Sequence, residues 1–205
     1  MKLYGFPMSP NTWKVLAYAR HIGVALDHEL VDLATGAQRT PAYLAMNPTG
    51  RTPTLVDGDF TVWESTAILQ YIGTKKSNAL WPDDARARAD IMRWQSWQLQ
   101  HWSRGCEPLL FERMVKPFFK LGAPDQAVIA KAEETFRNEA KVLDGHLARH
   151  RWLVGDGVTL AEYSVAPYLV YAAPCGIPVA EFANVRRWFG EVVKLPAWQD
   201  YLPKA

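Results

Sequence analysis

The sequence predicts a small α/β domain followed by an all-helical domain. Strand and helix patterns alternate over residues 1–77 in the order β-α-β-α-β-β-α, which is typical of a compact α/β unit. From residue 86 onward, every periodic segment has the spacing of an α-helix. Because the polar, proline-containing stretch 75–84 separates the two patterns, we expect the domain boundary there, with a linker at 78–85. The predicted domains are therefore 1–77 and 86–205.

The elements of the first domain follow from short apolar patterns and from the turn signals between them. A strand-like run at 2–6 stops at Pro7, and the helix pattern that follows ends near Gly23. Residues 26–33 alternate apolar and polar side chains, as a half-buried strand does. The remaining elements are a short helix, a hairpin and a last helix, at 41–46, 54–62 and 64–73.

The second domain shows longer helical patterns. A Trp-rich pattern covers 85–114, and we expect two prolines and a glycine in 116–124 to break it. Residues 126–149 carry one apolar stripe, made of Val128, Ala132, Phe136, Ala140, Leu143 and Leu147. Thr159 and Glu162 have the spacing of a capping box before an apolar helix. The last helix is marked by Val185, Trp188, Phe189, Val192 and Val193.

Composition excludes several classes of protein. The 205 residues are 49% hydrophobic and include nine Trp, so the chain is not disordered. A formal net charge of +2 does not favour binding to nucleic acid or to a membrane surface. The start MKLYGFPMSP does not resemble a signal peptide, and no apolar run is long enough to span a bilayer. Cys106 and Cys175 have no paired spacing, so we expect a cytoplasmic protein without a disulfide framework, zinc site or other metal.

The stretch from Asn47 to Ile72, NPTGRTPTLVDGDFTVWESTAILQYI, carries four features in order. They are an Asn-Pro turn, a residue pair ending in proline, a hairpin, and an acidic residue followed by serine at a helix start. This pattern resembles the cytosolic glutathione S-transferase superfamily, and the ending NVRRWFGEVVKLPAWQDYL is similar to that family's second domain. The resemblance implies a thioredoxin-like N-terminal domain, an all-helical C-terminal domain, glutathione as co-substrate and a homodimer.

The resemblance assigns the glutathione contacts residue by residue. Thr52-Pro53 matches the family's cis-proline step, where the backbone of Thr52 pairs with the cysteinyl part of glutathione. Glu64 and Ser65 match the residues that hold the γ-glutamyl end, and a helix N-terminus at Ser65 suits its α-carboxylate. The polar or basic side chains expected near the glycyl carboxylate are Gln38, Arg39 and Arg51.

Glutathione chemistry requires the thiolate, and a hydrogen-bond donor at a helix N-terminus lowers the pKa of a thiol from about 8.5. The loop 7–12 holds the candidates and contains neither Tyr nor Cys. Ser9 resembles the serine of the theta and phi classes, whereas Asn11 resembles the asparagine of bacterial nu-class proteins, which favour thiol–disulfide chemistry. Thr12 and Trp13 depart from the glycine and arginine usual in those versions. We expect Ser9 to contact the sulfur, with Asn11 as its assistant or replacement. In the alternative, both only cap the first helix.

The resemblance also implies an apolar pocket between the domains for an electrophilic, mostly apolar small molecule. Its expected walls are Met8, Trp102, Ser103 and Phe111, although any single Trp of that helix is more often a core residue. The leading hypothesis is an enzyme that transfers the glutathione thiolate to an electrophilic carbon. Two alternatives stay open: a glutathione-dependent disulfide oxidoreductase, in which Asn11 matters more, and a non-catalytic binding module of the same fold.

Overall fold

The computed structural model describes residues 1–202, so residues 203–205, the end of the predicted second domain, lie outside the described residues. The chain divides into two compact units, Met1–Pro82 and a second unit that begins at Asp83. The first unit contains a four-stranded sheet with helices, and the described part of the second contains helices only. This is the predicted fold class.

The sheet of the first unit has the strand order β2-β1-β3-β4. The strands are β1 (Lys2–Gly5), β2 (Asp27–Leu30), β3 (Thr54–Asp57) and β4 (Phe60–Trp63). β1 and β2 are parallel, and helix α1 (Pro10–Ile22) supplies the crossover that parallel strands need. β3 is antiparallel to β1 and forms the predicted hairpin with β4. The predicted strand at 26–33 is shorter than expected, and Leu30 is exposed because β2 is an edge strand.

Two further helices complete the first unit, α2 (Pro41–Met46) and α3 (Ser65–Gly73), together with a short 3₁₀ turn at Ala37–Arg39. α1 and α3 pack against each other. Their apolar faces form a core with the sheet, and its fully buried side chains include Leu3, Val15, Tyr18, Leu55, Ile68 and Leu69. The core therefore holds the starts of α1 and α3 in fixed positions relative to the sheet.

The first residues of the predicted linker at 78–85 make hydrogen bonds within the first unit and are partly buried there. The side-chain amide of Asn78 donates to the carbonyl oxygen of Gly73, and the hydroxyl of Tyr18 donates to Asn78 Oδ1. Leu80 and Trp81 are buried. Residues 78–82 thus belong to the first unit, and the division falls after Pro82.

The Trp-rich segment is helical beyond the predicted end at residue 114. Its parts are α4 (Ala85–Trp97), α5 (Ser103–Leu110) and α6 (Lys116–Phe119), joined by π-helical turns at Gln98–Trp102 and Phe111–Val115. The predicted break within 116–124 is confirmed, but it begins later than residue 116, since Pro117 lies in the first turn of α6. The helix ends instead at Lys120, whose φ is 55°.

Helix α7 (Gln126–Leu147) is the longest helix of the described chain. Its buried stripe contains Ile129 rather than the predicted Val128, which is 38% exposed. The other predicted members of the stripe are buried. Within residues 1–202, no helix is both long and apolar enough to cross a membrane.

The remaining helices are short. They are α8 (Leu160–Val165), α9 (Ala172–Cys175), α10 (Ala183–Val192) and α11 (Pro196–Gln199), with 3₁₀ turns at Pro167–Tyr171 and Val179–Glu181. The predicted capping box is confirmed: the Thr159 hydroxyl accepts from the N–H of Ala161, and Glu162 accepts from the N–H of Thr159. The apolar helix that follows is split at Pro167, which begins the first 3₁₀ turn.

Candidate active site

The strand register brings three segments of the first unit to the same end of the sheet. Tyr4, near the end of β1, pairs with Thr54 at the start of β3, and Thr54 pairs in turn with Trp63 at the end of β4. The loop after β1, the loop before β3 and the start of α3 are therefore neighbours. These segments carry both predicted catalytic residues and most of the predicted glutathione contacts.

Ser9 is the N-cap residue of α1, but its hydroxyl makes no capping hydrogen bond. The carbonyl oxygen of Ser9 accepts instead from the backbone N–H groups of Thr12 and Trp13, both at 3.0 Å. Pro10 follows as the first helical residue, where the missing N–H is harmless. The capping alternative therefore fails for this side chain, which places a hydroxyl donor at the positive end of a helix dipole.

The loop between β1 and α1 is held by close packing of Thr12 against Gly5. A Cβ atom on Gly5 would lie 2.5 Å from Cγ2 and 2.7 Å from Oγ1 of Thr12, which is closer than real Cβ contacts. Thr12 is fully buried, so its side chain has no solvent to move into. Position 5 thus requires glycine. In the sequence, the only signal for this pair is the glycine at the end of β1.

Asn11 and Ser65 come together from two different helices. The hydroxyl of Ser65 donates to Oδ1 of Asn11 at 3.3 Å. Ser65 is the buried first residue of α3, and Asn11 lies in the first turn of α1. This contact joins the predicted γ-glutamyl contact to the predicted catalytic loop.

The Thr52-Pro53 peptide bond is cis, as the resemblance implied. Thr52 lies just outside β3, beyond the last residue pair between β3 and β1. Among residues 1–202, no backbone group pairs with the N–H or the C=O of Thr52. This backbone edge is therefore open to the backbone of a bound peptide.

Glu64 precedes α3 with φ 70° and ψ 114°, a conformation that residues with a Cβ atom rarely adopt. Its side chain is exposed and makes no capping hydrogen bond. Such strained backbone clusters at functional sites, and here it lies at the predicted contact for the γ-glutamyl end. Nothing in the residue pattern indicates this conformation.

The three side chains predicted near the glycyl carboxylate differ in their suitability. Arg39 lies over Gly50, where an added Cβ atom would be 2.7 Å from Nη1 of Arg39. Arg51, the next residue after Gly50, is exposed. Gln38 buries its amide oxygen, which finds no partner in the described part of the chain. Because a carboxylate needs donors, Arg39 and Arg51 are the better candidates.

Two side chains for which the sequence predicts no role in the site, Tyr43 and Asn47, bind its backbone. The hydroxyl of Tyr43 donates to the carbonyl oxygen of Arg51 at 2.7 Å, and Nδ2 of Asn47 donates to the same oxygen at 2.9 Å. Burial raises the pKa of Tyr43, so its hydroxyl keeps its proton at neutral pH. Asn47-Pro48 signals only a turn in the sequence, and Tyr43 carries no signal beyond its place in a helix.

The predicted walls of the second-substrate pocket have different environments. Trp102 is fully buried, and its indole N–H donates to the carbonyl oxygen of Val165 in the second unit. Ser103 is also buried and donates to the carbonyl oxygen of Leu99, one turn earlier. For Trp102 and Ser103 the structure favours the core role, since neither side chain presents an open surface. Met8 and Phe111 are 51% and 43% exposed, so both keep an apolar surface that a ligand could contact.

The cysteines are not nucleophile candidates. Cys106 and Cys175 are both unpaired and fully buried. Burial raises the pKa of the Cys106 thiol well above its usual range and that of Cys175 to about 11. Both thiols therefore stay protonated at neutral pH. Among residues 1–202, no group of three His, Cys, Asp or Glu side chains could hold a metal ion.

Known proteins match both units of the chain. The family described as glutathione S-transferase, N-terminal domain matches residues 1–74, and the corresponding C-terminal domain family matches residues 126–191. Glutathione S-transferase 3 of Zea mays is 38% identical over 97% of this chain and 91% of its own length.

Solved structures of glutathione transferases are also similar to this chain. Glutathione transferase F7 from Populus trichocarpa has a TM-score of 0.90 at 29% identity, covering 98% of this chain and 96% of that one. Maize glutathione S-transferase I, solved with an atrazine glutathione conjugate, has a TM-score of 0.88 at 25% identity and covers 100% of this chain and 99% of that one. These matches favour the transferase hypothesis over the oxidoreductase and binding-module alternatives. With its thioredoxin-like first unit and helical second unit, the chain therefore belongs to the cytosolic glutathione S-transferase superfamily and is a glutathione transferase.

Proposed function

We propose that this transferase activates the thiol of glutathione at Ser9 and transfers the thiolate to an electrophilic, mostly apolar small molecule. The observation that carries the proposal concerns the Ser9 hydroxyl. It lies at the N-cap position of α1 but makes no capping hydrogen bond, so it can donate to a ligand. A hydroxyl donor and the positive end of α1 both favour the thiolate over the thiol. Asn11 assists Ser9, since its side-chain amide lies in the first turn of the same helix.

The chemical step follows from this arrangement. The thiol proton leaves to solvent, and the sulfur keeps an electron pair that the Ser9 O–H stabilises by a hydrogen bond. The thiolate attacks the electrophilic carbon, a carbon–sulfur bond forms, and the leaving group departs with its own electron pair. The atrazine glutathione conjugate bound by the maize relative supports an electron-poor ring with a leaving group as the substrate class. Met8 is an exposed apolar side chain next to Ser9, and we propose that it contacts this substrate. The role of Phe111 stays a prediction.

Glutathione itself binds along the three neighbouring segments of the first unit. The open N–H and C=O of Thr52, next to Pro53, pair with the cysteinyl backbone. Ser65 and the N–H groups at the start of α3 hold the α-carboxylate of the γ-glutamyl end, and Glu64 balances its α-ammonium. The glycyl carboxylate lies near the cationic side chains of Arg39 and Arg51 and the amide of Gln38.

We further propose that the protein is a homodimer in the cytoplasm, as expected for this family. Light scattering coupled to size-exclusion chromatography measures the mass in solution. A mass near twice the 23.2 kDa of one chain supports the dimer, and a mass near that of one chain overturns it.

The catalytic assignment is tested with Ser9→Ala and Asn11→Ala in a conjugation assay with a chlorodinitrobenzene. We expect Ser9→Ala to lower kcat about a hundredfold, because it removes a preorganised hydrogen-bond donor to the glutathione thiolate. Absorbance of the glutathione thiolate, titrated against pH on the enzyme, should show a raised thiol pKa in the same variant. Matched controls are Ser77→Ala and Asn138→Ala, which alter exposed residues of the same types. Full turnover and an unchanged thiol pKa in both site variants would overturn the assignment.

A further inference from the structure

We propose that Tyr43 and Asn47 are positioning residues that set the direction of the Thr52 N–H group toward the peptide backbone of glutathione. The inference rests on the proposed function, in which this N–H pairs with the cysteinyl part of the ligand. Both side chains would act through the carbonyl oxygen of Arg51 rather than on glutathione itself.

The network around the Arg51 carbonyl has one consistent assignment of protons. Oδ1 of Asn47 accepts from the backbone N–H and the hydroxyl of Thr49, at 3.1 and 2.7 Å, so Nδ2 must face the other way. Nδ2 then gives one proton to the Arg51 oxygen at 2.9 Å and the other to Oγ1 of Thr54 at 3.0 Å. Tyr43 uses its only proton on the Arg51 oxygen at 2.7 Å. The Thr54 hydroxyl, 2.9 Å from the Tyr43 oxygen, must therefore donate to it.

This assignment leaves no member of the network unsatisfied. The Arg51 oxygen accepts two hydrogen bonds, which is the full capacity of its two lone pairs. Tyr43, Asn47 and Thr54 are 4%, 2% and 0% exposed. The three side chains are therefore shielded from solvent, and a fully connected network of this kind holds its groups rigidly.

The direction of the Thr52 N–H follows from the geometry of one peptide plane. The carbonyl of Arg51 and the N–H of Thr52 belong to the same peptide unit, which is planar. Of the described peptide bonds only Thr52-Pro53 is cis, so the Arg51–Thr52 bond is trans and its C=O and N–H point in opposite directions. Two donors that hold the oxygen on one side thus aim the N–H to the other side. There, within residues 1–202, no backbone acceptor meets it.

The network also connects this peptide plane to the rest of the unit. Tyr43 lies in α2, Asn47 is the C-cap residue that follows α2, and Thr54 begins β3. A purely structural role would be to fasten α2 to the sheet. That role predicts a loss of stability when a donor is removed, whereas positioning also predicts a loss of affinity for the glutathione backbone.

The two roles are separated by Tyr43→Phe, with Tyr71→Phe as the matched control. Tyr71 also loses a hydroxyl hydrogen bond in the control, since it donates to Asp57 Oδ2 at 2.8 Å, at the opposite end of β3 from Thr54. Calorimetry with S-methylglutathione measures the affinity for the peptide part of the ligand, because this ligand has no thiol that could ionise. We expect Tyr43→Phe to raise the Kd for S-methylglutathione and the KM for glutathione about fivefold to tenfold, with kcat at saturation within about twofold of wild type. Tyr71→Phe should leave Kd and KM unchanged.

A second variant and a ligand-contact variant complete the test. Asn47→Asp replaces the donor by an acceptor facing the Arg51 oxygen, so it should raise Kd more than Tyr43→Phe does, while Asn138→Asp at an exposed site should not. Melting temperatures identify variants that are only less stable. An unchanged Kd in a folded Tyr43→Phe, alongside a raised Kd in Ser65→Ala, would overturn the inference and leave the proposed glutathione site intact. A raised Kd in Tyr43→Phe with none in Ser65→Ala would support the inference and refute the γ-glutamyl assignment.

Discussion

The hydroxyl of Ser65 donates to the amide oxygen of Asn11 across 3.3 Å, linking the first turn of α3 to the first turn of α1. Because Oδ1 of Asn11 is occupied as an acceptor, Nδ2 is the part of the amide left to act as a donor. Ser65 has a single hydroxyl proton, which Asn11 and the α-carboxylate of a bound glutathione would both accept. In the proposed site, binding at the γ-glutamyl end would therefore be coupled to Asn11, the proposed assistant of Ser9.

This coupling predicts that Ser65→Ala and Asn11→Ala have non-additive effects on the KM for glutathione. Because Asn11 and the ligand compete for one proton, removal of Asn11 from the wild type frees the Ser65 hydroxyl for the α-carboxylate and offsets part of the cost. Once Ser65 has lost its hydroxyl, removal of Asn11 should therefore cost more than it does in the wild type. Residues that share a hydrogen bond commonly show interaction free energies of about 0.5–3 kcal/mol. Steady-state kinetics on the two single variants and the double variant complete the cycle. Effects that add within about 0.5 kcal/mol would show that the contact has no part in binding.

A second prediction concerns the packing of Gly5 against Thr12. Gly5→Ala places a Cβ atom 2.5 Å from Cγ2 of a side chain that is fully buried. Overpacking of this kind typically costs about 1–3 kcal/mol, and here the strain falls on the loop that carries Ser9. We expect a lower urea midpoint and a lower kcat/KM. Thr12→Ala in the same chain removes Cγ2 and Oγ1, so it should restore part of both quantities. A Gly5→Ala variant with wild-type stability would contradict the geometry.

The sequence can predict which segments lie at the same end of the sheet, because the turn signals that decide this are local. The stretch Asp57-Gly58-Asp59 signals the hairpin. Its two-residue loop is Gly58-Asp59, which pairs Thr54 with Trp63, so Glu64 and Ser65 follow at that end. The contact between Asn11 and Ser65 is not predictable in this way. Its two side chains are 54 positions apart, and their meeting depends on how α1 and α3 pack on the sheet.

The exposure of single side chains in the Trp-rich segment also cannot be predicted from the sequence. Trp97 and Trp102 stack with ring centroids 5.5 Å apart, and a π-helical turn begins between them. Such a turn inserts an extra residue and changes which face each later side chain occupies. A pattern counted at 3.6 residues per turn therefore cannot tell that Trp102 is a core residue and that Phe111 is exposed.

A third prediction concerns the carboxylate of Glu162, which lies buried in the second unit. Its Oε1 accepts from the N–H of Leu153 at 2.7 Å, and its Oε2 accepts from the N–H of Thr159 at 2.8 Å. In Glu162→Gln one oxygen becomes an NH₂ group that cannot accept, so a buried N–H loses its partner. We expect a loss of about 1–3 kcal/mol in the free energy of unfolding, measured in urea. Glu134→Gln, at an exposed ion pair with Lys131, should change this free energy by about 0.5 kcal/mol or less.

The last prediction concerns acid sensitivity at His146 in α7. Its ring stacks on His150 with centroids 4.4 Å apart and makes a T-shaped contact with Trp94 with centroids 4.8 Å apart. Its Nε2–H donates to the carbonyl oxygen of Trp152 at 3.3 Å. Burial lowers the pKa of His146 below its ordinary value of about 6.5, and the positive charges of His150 and Arg93 act in the same direction. The unfolded chain therefore binds more protons than the folded one, so this contribution to stability is complete above about pH 6.5 and is lost as the pH falls through the lower folded pKa.

Melting temperatures at about pH 7.5 and about pH 5.5 test this prediction across the ordinary pKa of histidine. Acid should lower the melting temperature of the wild type by more than that of His146→Asn, even if the variant starts lower because it has lost the ring contacts. Part of the acid effect should persist in the variant, since burial also lowers the pKa of His21. His101→Asn, at an exposed position of the same unit, should keep the wild-type difference. Equal acid shifts in the wild type and His146→Asn would exclude His146 as the group responsible.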